Sequence, residues 1–284
     1  VAEIYTGVKT LAVSTEKINE LYEKREISLE ALDGRMNFHP NMFVIVTAGE
    51  SQSAITRVKD KKLQIVKSKR KSFGVQSRNK EQDMALDLLL DDDVKVVVLT
   101  GRAGTGKTLI SLSASFELMK KEKYRKLILT RPMTQVGKRE LGILPGNVNE
   151  KFGPYLQNYI NNIEQLTGSD DMEMLAEKYP MDLIPLQLIR GASWIDSFVI
   201  ADEMQCIDFF ELLTLGTRIG ENSKIIIMGD LKQRDEKIAI EKTGIYKFVN
   251  DARSKASEFV GVVQLEKCER SDVSALFADI FEEE

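Results

Sequence analysis

The chain has 284 residues, 43% of them apolar, with a formal net charge of −4 and a pI near 5.4. That length suits one large domain, or a core with a small accessory unit. The acidic balance excludes a global basic footprint for nucleic acid, so any such contact must be local. Two distant cysteines, Cys206 and Cys268, and a lone His39 argue against a disulfide framework and a zinc site. They fit free thiols in a reducing, cytoplasmic compartment.

No stretch approaches the roughly 20 apolar residues that span a bilayer, so no membrane partner is expected. Residues 1–10 lack the basic-then-apolar pattern of a signal peptide. The chain opens on Val1 rather than Met, which leaves room for an upstream domain outside it.

In chain order, Ser14 or Thr15 caps an expected helix through Lys24. Phe43–Val46, Ala54–Val58 and Lys62–Val66 read as short strands. Between Arg57 and Lys71 stand eight Lys or Arg and one acid, Asp60. This stretch suits either a phosphate backbone or a lysine-protected strand edge. Residues 1–75 therefore form a small, partly β accessory region. From about residue 76 strands and helices alternate. Strands are expected at Val94–Thr100, Lys126–Thr130, Phe198–Ala201, Lys224–Met228 and Val262–Leu265. Helices are expected at Leu109–Lys121, Asp208–Arg218 and Tyr246–Lys255. Residues 150–182 read as a helical insertion broken at Gly168-Ser169-Asp170. The pattern is α/β, a parallel sheet with flanking helices. Trp194 is expected in the core rather than as a stacking platform.

Residues Gly101-Arg102-Ala103-Gly104-Thr105-Gly106-Lys107-Thr108 fulfil the Walker A pattern, between an apolar strand and a helix that opens through Leu109. Glycines let the backbone wrap an anion, and the N–H groups and helix dipole face it. Lys107 is expected on the β- and γ-phosphates of ATP and the Thr108 hydroxyl on Mg²⁺. Phe198–Ala201 then ends in Asp202-Glu203. Asp202 is assigned to Mg²⁺ through water and Glu203 to polarising the attacking water.

Gln205 completes Asp-Glu-x-Gln, typical of helicase-like ATPases. Gln233, after the strand ending at Gly229-Asp230, is a candidate γ-phosphate sensor. Asn79-Lys80-Glu81-Gln82 matches a guanine-reading motif only in part and precedes the phosphate loop, so a GTPase fits poorly. Gln82 suits an adenine edge, since an amide pairs with N6 and N7.

Residues 76–281 resemble the PhoH family, through residues 101–108, Arg131-Pro132, Leu144-Pro145-Gly146 with Glu150-Lys151, Arg190-Gly191, Asp202-Glu203-x-Gln205, Gly229-Asp230-x-x-Gln233 and Glu269-Arg270-Ser271. Tyr5-Thr6-Gly7 resembles the connector of longer members that carry a PIN nuclease domain; nuclease activity is not carried over. Met204 and Cys206 depart from the usual Asp-Glu-Ala-Gln-Asn, and Ala192 stands where many members have Arg. The resemblance implies a RecA-like P-loop core related to superfamily 1 helicases, and ATP hydrolysis coupled to RNA or single-stranded DNA. It also implies homo-oligomeric assembly into a ring, a hexamer, in which a neighbouring subunit completes the cleft. A cation must stabilise the departing γ-phosphoryl. Arg270 is the first candidate, similar to the arginine motif of those helicases, and Arg131 the second; Arg190 is left open. The competing reading is an ATP-dependent protein assembly or remodelling module without nucleic acid.

Overall fold

The computed structural model describes residues 3–32, 34, 36–133, 148–235, 237–269, 271–273, 276 and 280, the side chains of 148–156 excepted. The N-terminal part is β-rich. Strand β1 (Val8–Ala12) is followed by helix α1 (Thr15–Lys24), which the Ser14 hydroxyl caps by accepting from the Lys17 N–H. Next come β2 (Glu26–Ser28), β3 (Phe43–Ala48), β4 (Gln52–Lys59) and β5 (Lys62–Ile65). They form a five-stranded sheet in the order β1-β3-β4-β5-β2. Three of its strands match the expected runs. β1 and β2 add two strands beyond the expected runs, and each is short and partly exposed with no sustained apolar alternation. A two-stranded hairpin of β6 (Lys71–Ser72) and β7 (Val75–Gln76) follows.

Helix α2 (Lys80–Leu89) leads into β8 (Val96–Gly101), α3 (Lys107–Lys120) and β9 (Lys126–Arg131). Then come α4 (Val148–Thr167), α5 (Met172–Lys178), β10 (Met181–Pro185), β11 (Ser197–Ala201), α6 (Phe209–Gly216), β12 (Lys224–Gly229), α7 (Gly244–Asn250), α8 (Ala252–Ala256) and β13 (Val260–Leu265). The second sheet runs β10-β9-β11-β12-β8-β13, and every pairing is parallel. β11 and β12 are buried along their whole length, as continuous apolar runs require. This is a RecA-like α/β core. Its sheet is packed on one face by α2, α3 and α4, around Leu99, Leu129, Ile200 and Met228. α6 and α7 pack against Val98, Val199 and Ile227 on the other, where Trp194 is also buried.

Two expectations need correction. The insertion expected over 150–182 overlaps β10, which starts at Met181; an edge strand containing Asp182 and closing on Pro185 carries little apolar signal. The single helix expected over Tyr246–Lys255 is two, because Asp251 adopts an extended conformation and caps α8 through the Arg253 N–H.

The two sheets are tied together by charge. Arg57 of β4 is buried and pairs with Asp87 at 3.2 Å and with Asp91. Lys59 reaches Asp91 at 2.9 Å, and Arg70 reaches Asp87 at 2.6 Å. Lys224 at the start of β12 is fully buried, and its amine donates to the carbonyls of Leu88 and Leu89, both at 2.7 Å, and of Asp91 at 2.9 Å. These carbonyls lie at and just beyond the end of α2, and those of Leu88 and Asp91 also accept the Asp91 N–H at 3.3 Å and the Val94 N–H at 3.2 Å. Burial pushes the Lys224 amine down to about 7.

Candidate nucleotide site

The loop between β8 and α3 is shaped by close backbone approaches. Gly101 has φ +123°, and a Cβ there would lie 1.8 Å from the Leu265 carbonyl oxygen, so only glycine fits. The next N–H, of Arg102, donates to that carbonyl at 3.1 Å. The Thr105 hydroxyl donates to Arg102 O at 3.0 Å and tightens the turn. Gly106 caps α3 in the left-handed conformation without a side-chain bond. The N–H groups of a 14-residue helix thus open toward the loop, with the positive end of its dipole. Lys107 bends its ammonium back onto Gly101 O at 2.8 Å and Arg102 O at 2.7 Å.

The acids stand across the sheet edge from this loop. Asp202 follows β11 and is only 5% exposed. One carboxylate oxygen accepts the Thr108 hydroxyl at 2.9 Å, and the other accepts the Glu203 N–H at 2.8 Å. Burial, then the neighbouring Glu203 charge, pushes the Asp202 carboxyl above its ordinary 3.8. A hydroxyl and an under-compensated buried carboxylate are hard oxygen donors, so Thr108 and Asp202 fit Mg²⁺. Glu203 holds φ +58°, uncommon for a residue with a Cβ. Its carboxylate accepts from Gln205 Nε2 at 2.7 Å and faces Arg131 Nη2 at 3.7 Å. Thr130 Oγ1, Arg131 Nε and Gln205 Oε1 are buried around it with no hydrogen-bond partner among the described residues.

Asp230, at the end of β12, accepts from the Ala103 N–H of the loop at 3.1 Å. Gln233 lies on the short turn beyond it and is exposed. Beside the loop lies a cleft of about 570 Å³ lined by Gln76, Arg78, Gln82, Gly104, Leu109 and Glu269. Gln82 sits at its wall but is buried and already engaged. It accepts from the Arg78 N–H at 2.9 Å and donates to Thr105 O at 3.0 Å. One N–H and one lone pair remain for a base edge. Glu269 donates its N–H to Gly104 O at 3.0 Å. Arg270, which follows it, lies outside the described residues, as do Leu144-Pro145-Gly146 and the side chains of Glu150-Lys151. Arg190 is exposed.

Tyr159 of α4 was not singled out by any motif. It is fully buried and donates to Thr130 O at 2.9 Å, bracing the ends of β9 and β11 beneath Asp202. Burial and the Asp202 charge hold its hydroxyl protonated well above the ordinary tyrosine value. Half of the basic stretch from Arg57 is consumed within the fold. Arg57, Lys59 and Arg70 pair with the acids of α2 and its end, and Lys62 pairs with Glu26 at 2.5 Å. Among the described residues no group of three His, Cys, Asp or Glu is disposed to hold a metal, and no helix is long and apolar enough to cross a membrane.

Residues 74–282 match the family model described as PhoH-like protein. Protein PhoH2 of Thermobispora bispora is 34% identical over 281 residues, covering 98% of this chain and 63% of that protein. Protein PhoH2 of Bacillus subtilis is 36% identical over 291 residues, covering 98% and 64%. The chain thus spans a little under two thirds of these relatives. Among solved structures, the Sulfolobus solfataricus SWI2/SNF2 ATPase core in complex with dsDNA matches 64% of this chain and 38% of that chain, at 15% identity and a TM-score of 0.40.

Proposed function

The chain belongs to the PhoH-like family, and on that premise we propose that it hydrolyses ATP in a reaction stimulated by RNA or single-stranded DNA. One observation carries the hydrolytic reading. The Thr108 hydroxyl and the buried Asp202 carboxylate meet at 2.9 Å, with Glu203 as the next residue along the chain. Thr108 and Asp202 would hold Mg²⁺, which would supply positive charge against the phosphates. The loop N–H groups of residues 104–106 and the α3 dipole hold the phosphates, and Lys107 exchanges its loop carbonyls for phosphate oxygens. Glu203, held by Gln205 and Arg131, orients the attacking water and takes its proton. Gln233 senses the γ-phosphate. Arg270 is the first candidate for stabilising the departing phosphoryl, with Arg131 second.

Support for the nucleic-acid arm comes from Asp202-Glu203-x-Gln205 together with the exposed Gln233 beyond Asp230. We take residues 1–75 as an accessory unit and 76–284 as the ATPase domain of a cytoplasmic protein that assembles into a hexameric ring. In that ring a neighbouring subunit closes the nucleotide cleft. The deciding experiment is phosphate release with RNA, with DNA and with neither, at low salt. Stimulation by RNA or single-stranded DNA is expected, and its absence counts against that arm.

One observation favours a second reading, an ATP-driven module that assembles or remodels proteins. Four of the eight basic residues in 57–71 are spent on internal ion pairs, which weakens the best local case for a phosphate-backbone track. Sizing with and without a non-hydrolysable ATP analogue, next to the nucleic-acid panel, separates the two.

A further inference from the structure

A parallel sheet has to bury both faces, and here one face is incompletely roofed. Between α6 and α7 runs a groove of about 820 Å³, larger than the cleft beside the phosphate loop. Val96 and Ile225 form its floor, and Leu213, Phe248 and Phe259 its walls. Leu213 is 58% exposed and Phe259 55%, side chains that a solvated surface would not choose. The rim carries Lys95 and Lys247, beside an Arg253 that pairs with Asp251 at 2.9 Å, so its net charge is positive. The groove lies at the opposite end of the strands from the phosphate loop, since Val96 opens β8 and Gly101 closes it.

A complementary element stands at the C-terminal end of the chain. Asp272, Val273, Leu276 and Ile280 are helical, and the three apolar side chains are each more than half exposed. In the sequence, Val273, Leu276, Phe277, Ile280 and Phe281 recur at i, i+3, i+4, i+7 and i+8, the spacing that predicts an amphipathic helix. Residues 272–284 also hold five acids, Asp272, Asp279, Glu282, Glu283 and Glu284, and no base.

We propose that this apolar, acidic segment of one copy seats in the apolar, basic-rimmed groove of a second copy. A second copy is the better occupant than the same chain. Glu269 is fastened to Gly104 at the loop end of the sheet, and a six-residue strand puts about 20 Å between that end and the groove. The contact is head-to-tail, each copy offering a groove to one neighbour and a segment to the other. Such a contact closes into a ring or extends as a filament. It gives a surface to the self-association proposed above and does not depend on ATP hydrolysis.

The test is sedimentation of the full chain and two variants, Leu213→Glu in the groove and the double variant Leu276→Glu with Ile280→Glu in the segment. All three positions are exposed, so the fold should survive, and circular dichroism verifies it. The unaltered chain is expected to self-associate, and each variant to lose association by at least about 30-fold. A mixture of the two variants should regain a one-to-one dimer, because one intact groove meets one intact segment. Lys247→Glu at the rim should weaken association more mildly. A monomeric unaltered chain, variants that still assemble, or a mixture that stays monomeric would each overturn the contact. Binding of a fluorescent ATP analogue is read on the same samples and should persist in the monomeric variants, because the phosphate loop and Asp202 lie within one copy. Loss of that binding in the unaltered chain would count against the nucleotide reading alone.

Discussion

Thr108 and Asp202 are 94 positions apart in sequence and share a hydrogen bond of 2.9 Å. The bond joins the first turn of α3 to the end of β11, so the helix that receives the phosphates and the strand that supplies the acids are in register. Asp202 cannot shift without pulling on Thr108. Its charge has no ion-pair partner among the described residues, apart from the distant influence of Arg131.

Removing the carboxylate charge should therefore separate stability from function. A carboxyl whose folded pKa is raised contributes stability below 3.8 that is lost as pH climbs through the folded value, so at neutral pH ionised Asp202 is a cost. Asp202→Asn is expected to raise Tm without nucleotide at pH 7 and to abolish the extra Tm rise given by Mg²⁺ with ATP. Thermal melts with and without both ligands check it. An unchanged ligand-induced rise would remove Asp202 from the metal site.

Two variants divide binding from turnover. Lys107→Ala should lose ATP binding, since no other ammonium enters the described loop. Glu203→Gln should bind ATP as before and slow hydrolysis by roughly 10²–10⁴, the usual weight of a positioned general base. Filter binding of labelled ATP and steady-state phosphate release read the two separately. Wild-type turnover in Glu203→Gln would reassign the base.

Arg57 should matter far more than its basic neighbours. Removing Arg57 leaves Asp87 to Arg70 and Asp91 to Lys59 and costs about 1.5–3 kcal/mol, whereas Lys62→Ala at a half-exposed pair costs about 0–1 kcal/mol. Burial alone raises the Asp91 carboxyl, but hydrogen bonds from Lys59, the Asp93 N–H and Arg57 outweigh it and bring it down to about 2. Its contribution is present above 3.8 and is lost as pH falls through about 2. Urea melts of Arg57→Ala and the parent chain between pH 5 and pH 2 should converge as that contribution disappears.

Lys224→Met keeps the volume of the buried stem and removes one donor from each of three carbonyls, two of which keep a backbone N–H. Losing these bonds costs on the order of 1–3 kcal/mol together. The loss should appear in a denaturant melt, with the midpoint falling and the slope unchanged.

The phosphate loop and the acid pair were legible because each is a contiguous run whose chemistry needs neighbours in sequence: glycines before Lys107, an apolar strand before Asp202. Most strands of the parallel sheet were legible for the same reason, as uninterrupted apolar stretches. Lys224, Tyr159 and Arg57 were not. Lys224 meets carbonyls 133 to 136 positions away, and Tyr159 meets Thr130 across the insertion. A lysine opening a strand reads as a solvated charge until the helix end that it caps is known. Strand β10 escaped because an edge strand is half solvated and tolerates Asp182 and Pro185.

The outer side of β13 bears on any attempt to work with the ATPase core alone. β13 closes one edge of the parallel sheet, and the N-terminal region covers it. Asn41 donates to Val260 O at 3.0 Å, and Gly7 lies so close to Val262 O that a Cβ there would sit 1.8 Å away. A truncation at the apparent boundary near residue 75 would strip both and leave a row of bare carbonyls on a Val-rich strand. That is a template for intermolecular pairing and precipitation. A recombinant core should therefore keep residues 3–75, and Gly7→Ala should lower soluble yield even though it lies far from the phosphates.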